Sequence, residues 1–197
     1  MMVAIYFLAA YLLGSISSAI LVCKAMGQPD PRGSGSGNPG ATNVLRQSGK
    51  LAAFFTLVGD VAKGFIPVLL GTLYGLPASG IAALGAGAFV GHLFPLFFQF
   101  RGGKGVATAL GLLLALAPAV GALACATWLL AAALFRYSSL SALLAMGASP
   151  AYMWWLADPQ RTEFAIAMAI LVWIRHWQNI RRLLSGAESK ISFSRKS

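Results

Sequence analysis

Three polar segments containing glycine hold most of the residues able to do chemistry. The first is Gly33-Ser34-Gly35-Ser36-Gly37-Asn38-Pro39-Gly40-Ala41-Thr42-Asn43-Val44-Leu45-Arg46. Gly35 and Gly37 let backbone N–H groups turn inward as an anion-binding nest. Ser36, Asn38, Thr42 and Asn43 add side-chain donors, and Arg46 adds a planar cationic fork. Gly35 to Gly40 has the form GxGxxG, but no strand precedes it and no βαβ unit surrounds it, which excludes a dinucleotide site. The plain alternative is a flexible connector, which would not need Asn-Pro-Gly-Ala-Thr-Asn. The second segment is Arg101-Gly102-Gly103-Lys104-Gly105, feeding a helix that begins at Val106. A glycine loop at a helix N-terminus with a lysine at its mouth suits a phosphate; a tight turn with ordinary membrane-flanking charge is the alternative. It is not a Walker A loop, because Phe98 stands where its first glycine belongs and Gly105 replaces the Ser/Thr. The third segment is Arg175-His176-Trp177-Gln178-Asn179-Ile180-Arg181-Arg182. His176 and Asn179, three apart, share a helix face, and Gly186 is expected to end that helix. A helix leaving a membrane explains the Arg and Trp residues but not His176 and Asn179.

Outside these segments, Asp60 and Lys63 stand three apart in an apolar run. Intramembrane charges are costly and usually paired, so a mutually neutralising structural pair is the first reading; the functional one is that they buttress the first segment. His92, before Phe94-Pro95, reads equally as an interface residue or a site residue. No metal or cofactor is expected: the two histidines and five acidic residues are scattered, with no HExxH and no cysteine pair. There is no GxSxG elbow. The His-x-x-x-x-Asp pair frequent in acyltransferases that use coenzyme thioesters is absent too, since Phe97 and Arg181 occupy that offset from His92 and His176.

The elements that must position these residues follow from composition. Of 197 residues, 58% are hydrophobic and 10% charged, against about 45–50% apolar and about 25% charged in soluble domains. Mean hydropathy is +0.74, so a water-soluble globular protein is excluded. The length suits one polytopic domain, residues 1–197. The formal net charge of +10 would point to nucleic acid in a soluble chain. Here it reads as positive-inside bias and attraction to anionic lipid, with no nucleic-acid partner.

Residues 1–23 carry no basic n-region and read as an uncleaved first span with an outside N-terminus. Further spans are expected over 51–76, 79–100, 138–156 and 163–180, the last two joined by the polar stretch Asp158–Thr162. Residues 106–135 would make one helix of about 45 Å, too long for a core of about 30 Å. Splitting them at Pro118–Gly121 puts all of the 15 Lys and Arg except Lys63 and Arg161 on one side, as the positive-inside rule favours. The expected fold is therefore an all-α integral membrane protein of seven transmembrane helices, some short, with N-terminus out and C-terminus cytoplasmic. The same parity brings residues 24–50, 101–105 and 175–190 to one face, as a single site would require.

The strings GSGNPGATN, GHLFPLFFQFRGGKGVAT and RHWQNIRRLLSGAESK resemble the signature segments of bacterial acyl-phosphate:glycerol-3-phosphate acyltransferases of the PlsY type, nearly end to end. The resemblance implies a multi-pass enzyme of the bacterial inner membrane with its active site facing the cytoplasm. Such an enzyme moves a fatty acyl group from acyl phosphate to the 1-hydroxyl of glycerol 3-phosphate, giving lysophosphatidic acid and phosphate. It also implies roles: Ser36 and Arg46 as the important pair of the first segment, Gly102, Gly103, Lys104 and Gly105 as a phosphate-binding loop, His176 and Asn179 as the polar pair of the third, and Glu188 as structural. The implied partners are the two substrates, membrane lipid and, loosely, other enzymes of lipid synthesis. A transporter of a phosphorylated or anionic solute is the rival class. It would need polar groups near the midplane on related repeats, and the sequence shows no internal repeat.

Overall fold

The computed structural model describes residues 1–191, which fold as α-helices and short 3-10 turns with no strand among them. They group into two compact units, Met1–Leu116 and Ala117 onward.

The first unit holds α1 (Met2–Gly14), α2 (Ser18–Ala25), α3 (Ala41–Leu73), α4 (Ala78–Leu93) and α5 (Val106–Leu116). Lipid tails are as apolar as leucine, so helices in a membrane pair by close packing over small residues. α1 meets α4 in this way: a Cβ on Gly14 would strike the Ala88 backbone, and one on Gly87 or Gly91 would strike the carbonyls of Phe7 or Tyr11. α3 meets α5 similarly, with Gly64 against the Thr108 carbonyl and Gly111 against that of Val61. α2 packs on the start of α3 through Ala19, Cys23, Val44, Ala52 and Ala53.

In this unit the first apolar run and the start of α3 depart from the expected spans. The first apolar run is long enough to cross a membrane over Met2–Ala25 but is not one helix: it opens at Ser15–Ser17. The break leaves the Ile16 carbonyl outside the helical ladder, and Lys63 Nζ donates to it at 3.1 Å. α3 starts ten residues earlier than the expected span and is interrupted at Gly49, whose φ of 86° favours glycine. Its first two turns therefore belong to the polar segment and the remainder to the apolar span.

The second unit holds α6 (Pro118–Phe135), α7 (Ser138–Leu156), α8 (Pro159–Arg175) and α9 (Trp177–Leu184). The 106–135 stretch does divide, at Ala117, with Pro118 at the first helical position where its missing N–H costs nothing. The Asp158–Thr162 stretch is not a connector throughout. Asp158 caps α8 by accepting the Arg161 N–H at 2.8 Å, and Pro159 opens the helix. Within the unit, Thr127 Oγ1 and the Tyr152 hydroxyl lie 2.9 Å apart, and Trp173 Nε1 donates to the Leu143 carbonyl. By length and composition, Met2–Ala25, Ala41–Leu73, Ala78–Phe98 and Pro118–Phe135 suffice to cross a membrane, and Val106–Leu116 is a shorter apolar helix.

Candidate functional site

In the first unit the glycine segments are built by side chains that fill their hydrogen-bonding capacity locally. Asn43 sits beneath the first segment, 3% exposed. Its Oδ1 accepts the Ser36 N–H at 3.1 Å and Gln47 Nε2 at 3.1 Å, and its Nδ2 donates to the carbonyls of Pro31 and Ser34. Gln47 adds a bond to the Ser34 carbonyl at 2.6 Å. Asn43, expected as a donor to a ligand, thus has both amide hydrogens engaged in shaping the loop. Gly35 and Gly37 have positive φ, and a Cβ at Gly35 would meet Asn43 and Gln47. Gly40 is the N-cap of α3, which places Thr42 and Arg46 one turn apart on its first helical turns. Ser36 and Arg46 are exposed and Asn38 is half-buried.

Asp30 caps the 3-10 turn Pro31–Gly33 and grips Arg32, with Nη2 to Oδ2 at 2.7 Å. The Arg32 guanidinium holds the Asp30 carboxyl below its usual range. A further Arg32 nitrogen donates to the Phe98 carbonyl at 3.3 Å, and its guanidinium lies 5.8 Å from the Phe98 ring centre. One arginine therefore ties the first glycine segment to the approach of the second.

The second loop is pressed onto the end of α4. The Gly103 N–H donates to the His92 carbonyl at 3.1 Å. A Cβ at Gly102 would meet the His92 and Leu93 carbonyls, one at Gly103 the His92 ring, and one at Gly105 the Phe89 ring. These glycines are required by close approach, whatever they bind, and Gly105 also has a φ of 87°. Lys104 is half-buried between them at the entry to α5. Beneath the loop, Asp60 Oδ1 lies 2.9 Å from Lys63 Nζ and 3.5 Å from His92 Nδ1. The partners of Asp60 and Lys63 are thus each other, His92 and Ile16. The two are paired with each other, as in the first of the two readings, and their further contacts run to His92 at the second loop and to the α1–α2 break.

In the second unit, His176 is the junction between α8 and α9 and is buried. Its Nδ1 lies 2.8 Å from the Val172 carbonyl. A carbonyl only accepts, so Nδ1 carries a proton and the lone pair of the neutral ring sits on Nε2. Asn179, in the first turn of α9, donates to Glu188 Oε1 at 2.6 Å. Glu188 also accepts from Ser139 Oγ and Arg182 Nε, each at 2.7 Å. Burial pushes the Glu188 carboxyl up, but these three hydrogen bonds outweigh it and leave the group below its ordinary value of 4.5. The tail is fixed further where Arg136 and Ile191 exchange backbone and side-chain bonds. Among the described residues, no group of histidine, cysteine and acidic residues could hold a metal ion.

Sequence reasoning missed Arg32, Gln47, Ser139 and Arg182 as builders of these clusters. Gln47 had a signal, four residues after Asn43 on one helix face. Arg32 had one too, two residues after Asp30 across a proline. Ser139 had none, because its partner lies 49 positions away.

A family model described as Glycerol-3-phosphate acyltransferase matches residues 4–186. The glycerol-3-phosphate acyltransferase of Methylococcus capsulatus is 54% identical over 187 residues, 94% of each chain. That of Thioalkalivibrio sulfidiphilus is 56% identical over 185 residues, 93% of this chain and 91% of its own. Two crystal structures of PlsY, an integral membrane glycerol 3-phosphate acyltransferase, share the fold at 36% identity. The glycerol 3-phosphate form matches with a TM-score of 0.90 over 96% of both chains. The lysophosphatidic acid form matches with a TM-score of 0.89 over 96% of this chain and 95% of its own.

Proposed function

The chain belongs to the glycerol-3-phosphate acyltransferase family, and we propose that it acylates the 1-hydroxyl of glycerol 3-phosphate with acyl phosphate as donor. The products are lysophosphatidic acid and inorganic phosphate. The observation that carries this reading is Arg32, which joins two cation-bearing glycine segments through the Phe98 carbonyl. Both substrates are phosphorylated, and Arg46 and Lys104 are the cations these segments offer. Acyl phosphate is already activated, so catalysis is mainly positioning and stabilisation of developing charge. The acceptor hydroxyl oxygen attacks the acyl carbon, and the bond from that carbon to the phosphate oxygen breaks. His176 Nε2 takes the hydroxyl proton; the departing phosphate is the other acceptor at hand. Ser36 and Asn179 donate hydrogen bonds to substrate oxygens. Gly37, Asn38 and Thr42 contribute to the nest, and Glu188 holds Asn179 in place.

The protein lies in the bacterial inner membrane as seven spans, with its N-terminus outside and its chemistry at the cytoplasmic face. Support comes from the basic residues, which crowd one side under that topology. The test is to supply the purified, reconstituted protein with acyl phosphate and glycerol 3-phosphate. Lysophosphatidic acid should appear with one phosphate released per acyl group moved. Uptake of a phosphorylated solute into the liposomes without acylated product would replace this reading with a transporter.

A further inference from the structure

Asp60, Lys63 and His92 form a sealed group that the acyl-transfer step does not use. Their side chains are 3%, 6% and 6% exposed. Burying charge inside a spanning segment is costly, and apolar residues of similar volume would often pack as stably. Such a group calls for a reason beyond packing, and its contacts supply one. Lys63 is anchored by the Ile16 carbonyl in the α1–α2 break and by Asp60. Asp60 faces His92 Nδ1 with the same oxygen that meets Lys63. Of the three, His92 is the member that reaches the glycine loop. Its carbonyl accepts the Gly103 N–H, and the three atoms nearest to a Cβ placed on Gly103 all belong to its ring. Gly103 directly precedes Lys104. On either side, Gly102 is stopped by the His92 and Leu93 carbonyls and by Pro95, and Gly105 by Phe89 and Leu93. The ring is therefore the surface on which the residue before the lysine rests, and Asp60, itself paired with Lys63, lies 3.5 Å from its Nδ1.

We infer that His92 is a positioning residue for the loop Gly102–Gly105, acting through ring contact with Gly103 and held by Asp60 and Lys63, so that Lys104 meets the phosphate of glycerol 3-phosphate. This assigns His92 to loop support, not to substrate contact. It rests on the reading of the loop as a phosphate site.

The experiment is a set of steady-state measurements, KM and kcat separately for both substrates, on Gly103→Ala, His92→Ala, the double variant and Lys104→Ala. A displacement of about 1 Å at a binding group can cost about a hundredfold, so Gly103→Ala should raise KM for glycerol 3-phosphate by about ten- to a hundredfold. KM for acyl phosphate and kcat should move far less. In the double variant the new methyl occupies space the ring has left, and KM should fall back well below that of Gly103→Ala alone. Asp60→Asn should raise the same KM, and His92→Gln serves where His92→Ala does not fold. Independent, multiplying effects of Gly103→Ala and His92→Ala would overturn the positioning role, as would equal losses for both substrates. Lys104→Ala separates the two levels. If it raises KM while the His92 variants leave KM unchanged, only the positioning role fails. If it too leaves KM unchanged, the phosphate reading of the loop fails and the positioning role with it.

Discussion

Asn43 and Glu188 each organise a loop by saturating one polar side chain. Asn43 makes four hydrogen bonds around the first glycine segment, and Glu188 collects Ser139, Asn179 and Arg182. All three donors and the Arg182 charge favour the ionised carboxylate, which is why its pKa is depressed against the pull of burial. A depressed carboxylate contributes stability that is fully present above its unfolded value. That contribution is lost as the pH falls through the lower folded value. Glu188→Gln should therefore unfold at a lower temperature near pH 7. The deficit should be roughly 1–2 kcal/mol after allowance for screening at a partly exposed site. Below the ordinary value of 4.5, as wild type loses the same charge, the gap should close. Thermal unfolding followed from about pH 7 to about pH 3 checks this; a gap that stays constant would mean the ionised carboxylate contributes nothing. The identity of the polar residues was legible in the sequence, since Ser, Asn, His and charged side chains stand out in an apolar chain. Their division between ligand contact and loop support was not. Asn43 and Asn38 read alike as donors, and the contacts that distinguish Asn43 run to backbone carbonyls of Pro31 and Ser34.

The helices show where breaks can be read and where they cannot. The division of 106–135 was visible because the stretch is too long for one span and Pro118 marks the place. The opening at Ser15–Ser17 was not read, although Gly14, Ser15, Ser17 and Ser18 stand there, because small residues are common within membrane helices and the run as a whole stays apolar enough to span. It persists because Lys63, 47 residues on, caps the released carbonyl. The Asp158–Thr162 stretch misled for the opposite reason: its polarity reads as a connector, yet Asp-Pro followed by a polar turn is how a helix begins. Glycine carries the same double meaning. In the helices Gly14, Gly87 and Gly91 allow backbone-to-backbone packing, while Gly35, Gly37 and Gly105 serve positive φ in the loops. Sequence alone marks both kinds as flexible. Only the neighbours show that Gly102 and Gly103 lie too close to the end of α4 to carry a side chain.

At the scale of the whole molecule, charge and hydropathy carry the argument. A chain with 58% hydrophobic residues and an excess of Lys and Arg is oriented by where its basic residues gather. Single cysteines at Ser34, Arg101 and Ser189, in a background without Cys23 and Cys125, should therefore react with an impermeant reagent from the cytoplasmic side, and one at Gln160 from outside. All four positions are exposed, so a silent position would not reflect burial in the fold. Labelling of Arg101 and Ser189 from opposite faces would defeat the seven-span topology. The donor is the most demanding part of the account. The extramembrane chain on the basic side is mainly residues 24–50, 101–105 and the tail beyond about 180, which leaves little room for an adenine pocket beside two phosphate-binding loops. The basic residues Lys190, Arg195 and Lys196 could attract an acidic carrier protein, though anionic headgroups account for them equally; Arg195 and Lys196 lie outside the described residues. The most direct measurement is therefore turnover of glycerol 3-phosphate with matched acyl chains presented as acyl phosphate, as acyl-CoA and on acyl carrier protein, one donor per reaction. Lysophosphatidic acid should form from acyl phosphate alone. Formation from either thioester at a comparable rate would contradict it.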